Sequence, residues 1–270
     1  RQRQMCIRDR AYVIMIILIW IPMARRKSLA FLDVGQGDCF VADTKSGAII
    51  FDGGSSSEDQ VGRYRILPYM KYLGYQKIQI AVISHMDIDH YSGIKELLEM
   101  GKIKYLGLPE IPKDETMKKI IGIAKKRGTT IFYLSRGRQI TTKDGSLKVL
   151  HPQKNSQMEK NAASLVMQGK ILGYRVLLTG DVEKEGEEEL LSEELERADI
   201  LKAAHHGSKN STSNEFLQKV QPKQTVISCG KQNRYGHPHL ETIHRLQTYR
   251  TKIYRTDRSG AIIFFKRRDG

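Results

Sequence analysis

Cysteine is scarce in this chain. Only three occur in 270 residues (Cys6, Cys39 and Cys229), and no two form a CxxC pair. That excludes a disulfide framework and a cysteine-based zinc knuckle. Cys39 and Cys229 sit in apolar stretches and are expected as buried thiols. Acidic residues also run short, 30 Asp and Glu against 45 Lys and Arg, which leaves a formal net charge of +15. Such an excess suits a polyanionic partner, nucleic acid or an anionic membrane face, and equally a plain basic surface. No internal repeat and no low-complexity linker divides the chain. At 40% hydrophobic residues a sizeable core is expected and disorder is not.

The apolar run at residues 11–23, AYVIMIILIWIPM, carries no charge and no amphipathic period. It falls short of the roughly 20 residues that span a bilayer. The preceding residues 1–10, RQRQMCIRDR, resemble translated sequencing-adapter read-through and are set aside. Residues 11–24 are then expected to be part of a longer transmembrane helix. Arg25, Arg26 and Lys27 follow it, a weak pointer to a cytoplasmic flank.

From Leu29 onward short strands alternate with helices. LAFLDV, CFVAD and AIIFD read as strands, as do IQIAVISH, KIKYLGL, TTIFYL, SLKVLHP, SLVMQ, YRVLLTGD, QTVISCG and SGAIIFFKRR. SGIKELLEMG reads as a helix capped by Ser92, with Gly101 just past its end. DETMKKIIGIAKKRG has an acidic start and a basic end, as a helix prefers. VEKEGEEELLSEELER reads as an acidic helix with its solvated face turned away from any polyanion. Each half opens with strands and continues with helices. That predicts an α/β fold, two packed sheets with helices outside in an αββα sandwich, over residues 29–270.

The stretch SHMDIDHYSG places His85, Asp87, Asp89 and His90 within six positions. His85 ends a buried strand, so the group sits on a loop at a sheet edge. Residues 85 and 87 can turn to one point, and 89 and 90 to a second beside it. Two divalent ions would share such a loop. Further donors follow other strands: Asp181, the pair His205 and His206, Asn161, and His237 with His239. His244 and His151 are expected to have no part in the site.

FLDVGQGD, IFDGG, SHMDIDH, NAAS, LLTGD, LKAAHHGS and NRYGHPH together resemble the metallo-β-lactamase superfamily. More narrowly, they resemble the C-terminal domain of ComEC-type DNA-internalisation competence proteins. The resemblance implies that His85 and Asp87 bind one ion, that Asp89, His90 and His205 bind a second, and that Asp181 bridges them. Asn161 stands where many superfamily members have a histidine ligand. Asp87 and Asn161 supply oxygen, which favours Mn²⁺, with Zn²⁺ as the alternative.

The implied activity is metal-assisted phosphodiester hydrolysis, a nuclease that degrades one strand of incoming DNA. Asp89 would orient water and His237 would contact the scissile phosphate or protonate the leaving oxygen. Lys209, Lys231, Arg234, Tyr235 and His239 would bind a single strand. The partners implied are DNA, the membrane through the N-terminal segment, and the rest of an uptake channel. The resemblance puts the domain outside the bacterial cell membrane, against the weak pointer above. Two readings compete: a hydrolase of thioesters, lactones or phosphorylated small molecules, and a non-catalytic DNA-guiding module.

Overall fold

The structure, a computed structural model, describes residues 9–13, 15, 26–159 and 161–267. Most of the expected membrane segment lies outside these residues. Among the described ones no helix is long and apolar enough to cross a membrane.

β1 (Ser28–Phe31), β2 (Phe40–Thr44) and β3 (Gly47–Phe51) form an antiparallel meander. The chain then crosses to β4 (Ile78–Val82) through a π-helical turn at Gly62–Ile66 and α1 (Leu67–Tyr72). It reaches β5 (Ile103–Pro109) through α2 (Ile88–Glu99), and β6 (Thr130–Leu134) through α3 (Glu115–Lys126). These helical crossovers make β3 to β6 parallel.

The second sheet begins with β7 (Gln139–Thr142), β8 (Gly145–His151), β9 (Val166–Ile171) and β10 (Tyr174–Leu178), all antiparallel. It continues through α4 (Lys184–Leu191), β11 (Ile200–Lys202), α5 (Asn214–Val220), β12 (Gln224–Ile227), α6 (Leu240–Thr248) and β13 (Lys252–Arg255), with β10 to β13 parallel. After α7 (Thr256–Ser259), β14 (Ile262–Phe265) returns to the first sheet and pairs with β1. The two seven-stranded sheets run β14-β1-β2-β3-β4-β5-β6 and β13-β12-β11-β10-β9-β8-β7.

Alternation along the strands builds three layers of core. Ile49 and Phe51 of β3 and Val176 and Leu178 of β10 meet between the sheets, with Phe31 and Phe40. Ile50 points the other way, against Ile94, Leu97 and Leu98 of α2 and Ile120 of α3. Leu177 likewise packs on Phe216 and Leu217 of α5 and on Leu246 of α6. The αββα sandwich is therefore observed.

Three local expectations are corrected. β7 and β13 had no counterpart in the sequence reading. Both are edge strands, half exposed, and so lack an apolar run. Ser92 does not cap α2, which starts four residues earlier, after Asp87. The Ser92 hydroxyl instead accepts from the Ser55 N–H at 2.9 Å and donates to the Ser55 carbonyl at 3.2 Å. The acidic helix is also shorter than expected, eight residues at Lys184–Leu191.

Gly54 shows how tightly the IFDGG turn lies against the HMDIDH segment. A Cβ there would stand 2.6 Å from backbone atoms of Ile88, Asp89 and His90. Gly122, in the exposed face of α3, has nothing within 4 Å of an added Cβ. Gly122→Ala is expected to stabilise the fold by about 1 kcal/mol. Gly54→Ala is expected to destabilise it by about 1–3 kcal/mol through overpacking. Urea unfolding followed by circular dichroism checks both, and a neutral Gly54→Ala would mean that the two turns are not locked together.

Candidate metal centre

The side chains of this centre sit at strand ends. Asp38 lies in the turn between β1 and β2, and Asp52 directly follows β3. Ser84 and His85 follow β4, and Asp181 follows β10. Lys202 ends β11, His205 and His206 come just after it, and Ser228 follows β12. The carboxyl ends of the parallel strands in both sheets thus open on one edge of the sandwich, where loops bind ligands in such folds.

Backbone bonds stitch these loops together. The Asp38 N–H donates to the Asp89 carbonyl at 3.0 Å, Gly54 to Asp38 at 3.1 Å, and Gly53 to His90 at 2.8 Å. The Gly230 N–H donates to Gln36 Oε1 at 3.0 Å and joins the second sheet's loops to the first. Asp52, His205 and His206 hold left-handed backbones, with φ of 57°, 47° and 53°. Each such residue costs about 1–3 kcal/mol, and strain of this kind gathers at functional sites.

Four histidines are fixed by their outer nitrogen. His90 Nδ1 faces Asp52 Oδ2 at 2.9 Å, and Asp52 Oδ1 accepts from the Ser84 N–H at 2.7 Å. His85 Nδ1 faces the Ser84 hydroxyl at 3.0 Å. His206 Nδ1 faces the Ser228 carbonyl at 2.9 Å, and His205 Nδ1 faces Glu183 at 2.7 Å. This is how metal-ligating imidazoles are oriented.

The inner nitrogens converge on the carboxylates. Asp181 Oδ2 lies 3.2 Å from His90 Nε2, 3.5 Å from His206 Nε2 and 3.8 Å from His205 Nε2. His206 Nε2 also stands 3.3 Å from Asp89 Oδ2. Four overlapping triads result: His85–His90–Asp181, Asp89–His90–His206, Asp38–Asp181–His206 and Asp38–Asp52–His90. In each, one ligand atom per residue lies within 4.8 Å of the others. Yet the buried Nε2 atoms of His85, His90 and His206, with Oδ1 of Asp38 and Asp181, have no hydrogen-bond partner. Buried polar atoms are normally satisfied. A cluster of orphaned nitrogen and carboxylate donors facing one another fits divalent cations.

The electrostatics agree with that reading. Burial opposes the charged form of His206, but Asp181 and Asp38 outweigh it and raise the imidazole to about 10. His90 is raised too, with Asp181 and Asp52 overcoming its burial. Burial and then the charge of His90 push His85 down to about 3. Asp181 and Asp38 are held low despite burial, Asp181 mainly by His90 and His206 and Asp38 mainly by Lys202 and His206. Burial, with His206 and His205 nearby, lowers His237 to about 4. The carboxylates therefore attract positive charge strongly, whether it arrives as protons or as a metal.

Of the residues expected from the sequence, His85, Asp89, His90 and Asp181 are brought together. His85 Nε2 and Asp87 Oδ2 are 3.7 Å apart, and Asp87 stands at the rim. With Asn161, Glu159 and Glu183 it lines a cleft of about 560 Å³. His205 reaches Asp181 only at 3.8 Å, while His206 joins two of the triads. The left-handed turn at Ala204–Gly207 brings both rings to the site, 6.2 Å apart. Asp38, Asp52 and Lys202 had no expected role, although GQGD, IFDGG and LKAAHH contain them. A carboxylate or lysine at the end of an apolar strand was the available signal.

His237 packs beside His205 at 5.4 Å and His239 at 4.9 Å, and His237 Nδ1 is buried without a partner. Lys209, Lys231, Arg234 and Tyr235 are exposed on the adjoining loops. His244 is exposed on α6, and His151 is buried at the end of β8, where its Nε2 meets the Ala162 carbonyl at 2.7 Å. The acidic helix α4 starts directly after the Asp181 turn, so Glu183 and Glu185 line the cleft that holds Asp87 and Asn161.

Asp52 is fully buried and orients His90. Asp52→Ala is expected to weaken divalent-metal affinity by about 10- to 100-fold. Competition against a chromophoric chelator measures this, and unchanged affinity would remove Asp52 from the centre.

The chain matches known proteins over most of its length. The family model described as the metallo-beta-lactamase superfamily matches residues 32–231. The ComE operon protein 3 of Bacillus subtilis (strain 168) is 35% identical over 96% of this chain and 35% of its own length. Competence protein ComA of Neisseria gonorrhoeae is 30% identical over 88% of this chain and 32% of its own length. The chain thus spans about a third of the length of these curated relatives. Among solved structures, the metallo-beta-lactamase fold protein YhfI from Bacillus subtilis superposes with a TM-score of 0.58 at 13% identity, covering 87% of this chain and 99% of that one. The chain belongs to the metallo-β-lactamase superfamily and is of the ComEC competence-protein type within it.

Proposed function

We propose that this domain is a metal-dependent nuclease acting on single-stranded DNA, within a larger membrane-attached competence protein that carries DNA into the cell. The observation that carries the reading is the set of partnerless inner nitrogens and carboxylate oxygens turned on one buried point. His85, Asp87, Asp89, His90, Asp181 and one or both of His205 and His206 would hold two divalent ions, with Asn161 at the rim. Mn²⁺ suits so oxygen-rich a donor set better than Zn²⁺. Bound there, such ions supply a nucleophile at neutral pH and Lewis acidity toward a phosphodiester.

The chain's own residues bind and orient the substrate. Arg234 lies over the Tyr235 ring at 4.8 Å, and Tyr235 stacks nearly parallel on His237 at 5.7 Å. This stack leads from solvent to the carboxylate cluster. An unpaired base laid on Tyr235 would gain about 1–3 kcal/mol. His237, neutral near pH 7, still has one N–H to offer a phosphate oxygen. The exposed Lys209 and Lys231 would supply positive charge, with His239 accepting from the Lys209 N–H at 3.2 Å. Asp89, 3.3 Å from His206 Nε2, would orient water.

The direct test is incubation of the protein with labelled single-stranded DNA in Mn²⁺, Mg²⁺ or Zn²⁺. Cleavage is expected with Mn²⁺, falling to background in His85→Ala and Asp181→Asn. Binding should weaken steeply as salt rises. Tyr235→Ala should raise KM several-fold with a smaller effect on kcat. Salt-independent turnover of a thioester or lactone, without DNA cleavage, would replace this reading by the small-molecule one. Intact DNA uptake in a strain carrying Asp181→Ala would favour the guiding module.

A further inference from the structure

Lys202 is the least expected member of the centre. It is the last residue of β11, and only 4% of it is exposed. Its ammonium is in contact with Asp38 Oδ2, donates to the Gly180 carbonyl at 3.4 Å, and stands 3.8 Å from Asp181 Oδ1. Asp38 and Asp181, with His206, form one of the four triads able to hold a cation. The lysine charge therefore already sits between two carboxylates of that triad.

Lys202 reaches this position from inside the protein. A void of about 10 Å³ beside it is lined by Phe31, Phe40, Phe51 and Leu178 of the inter-sheet core, with Asp38 and Gly180 at its polar end. That is room for about one water. The lining of that void is mainly apolar, a poor environment for a hydrated cation. An ammonium on an apolar stem can neutralise Asp38 there, whereas a hydrated ion would have to shed its water shell among aromatic rings.

We propose that Lys202 is a built-in cation of the metal centre, filling the place between Asp38 and Asp181, so that the pocket binds one divalent ion fewer than its carboxylates would otherwise take. The inference rests on the metal-centre reading. Asp38 is then a positioning residue, held by Lys202 and itself steering His206, whose Nδ1 lies 3.5 Å from Asp38 Oδ1. Lys202 gives Asp181 one fixed neighbour on its Oδ1 side and leaves its Oδ2 side to the histidines.

The test is a count of bound ions. The full chain is stripped of metal, equilibrated with Mn²⁺ by dialysis, and its metal measured by elemental analysis. Lys202→Met is expected to bind one Mn²⁺ more per chain than the wild type, and Lys202→Arg the same number as the wild type. Wild-type binding with an unchanged count and affinity in Lys202→Met would overturn the inference and leave the metal centre standing. A wild type that binds no divalent ion would remove the metal centre and the inference together. If Lys202→Met does not fold unaided, refolding from urea with and without Mn²⁺ decides. Recovery only with Mn²⁺ supports a cation position that metal can refill, and failure in both overturns it.

Discussion

Buried negative charge is the constraint on which this molecule turns. Asp38, Asp52 and Asp181 are almost wholly enclosed, and Asp89 is largely so. An isolated carboxylate cannot be carried into a protein interior without a compensating charge. Two buried histidines drawn toward the charged form, His90 and His206, and one buried lysine stand against these acids, with His85 beside them. The lysine is permanently charged, while the histidines share their inner nitrogens among several oxygens. The arrangement is stable when positive charge enters it, and the orphaned atoms mark where that charge belongs. A centre of this kind is a demand for cations created by folding.

The fold exists, in this view, to bring acids from both sheets to one edge without letting them relax. Left-handed backbone at Asp52, His205 and His206 is unfavourable locally. It persists because the surrounding turns are tied to one another, Gly54 to Asp38, Asp38 to Asp89, and Gln36 across to Gly230. The outer nitrogens of His90, His205 and His206 are each held from another strand end, and that of His85 by the adjacent Ser84. The donors are therefore positioned before any ion arrives, and little ordering remains to oppose binding.

Much of this was legible in the sequence because it is written in period and spacing. The apolar alternation of β3 and β10 and the amphipathic pattern of α3 translate directly into layers. HMDIDH, followed by TGD and HHG after apolar strands, marked His85, Asp89, His90 and Asp181 as neighbours. What stayed hidden depends on three dimensions alone. Asp38 and Asp52 look like turn residues until β1 and β3 are seen to end at the same edge. Lys202 looks like one more surface charge in a basic chain, yet it is buried. The choice between His205 and His206 depends on two consecutive left-handed residues, which no propensity specifies. Edge strands β7 and β13 carry too few buried side chains to leave a pattern.

The charge around the mouth then narrows what can approach. Glu183, Glu185 and Glu159 stand along one cleft, with Lys184 as the single opposing charge among its lining residues. On the other side Lys209, Lys231 and Arg234 project from exposed loops beside the Tyr235–His237 stack. On the nuclease reading proposed above, a polyanion would be repelled from the first side and drawn to the second, within a Debye length of roughly 8 Å at physiological salt. The net charge of +15 gives attraction but no direction. On that reading direction would come from Glu183 and Glu185, which line the same cleft as Asp87. Glu183 and Glu185 would then act as a fence and leave the basic loops as the side open to a strand.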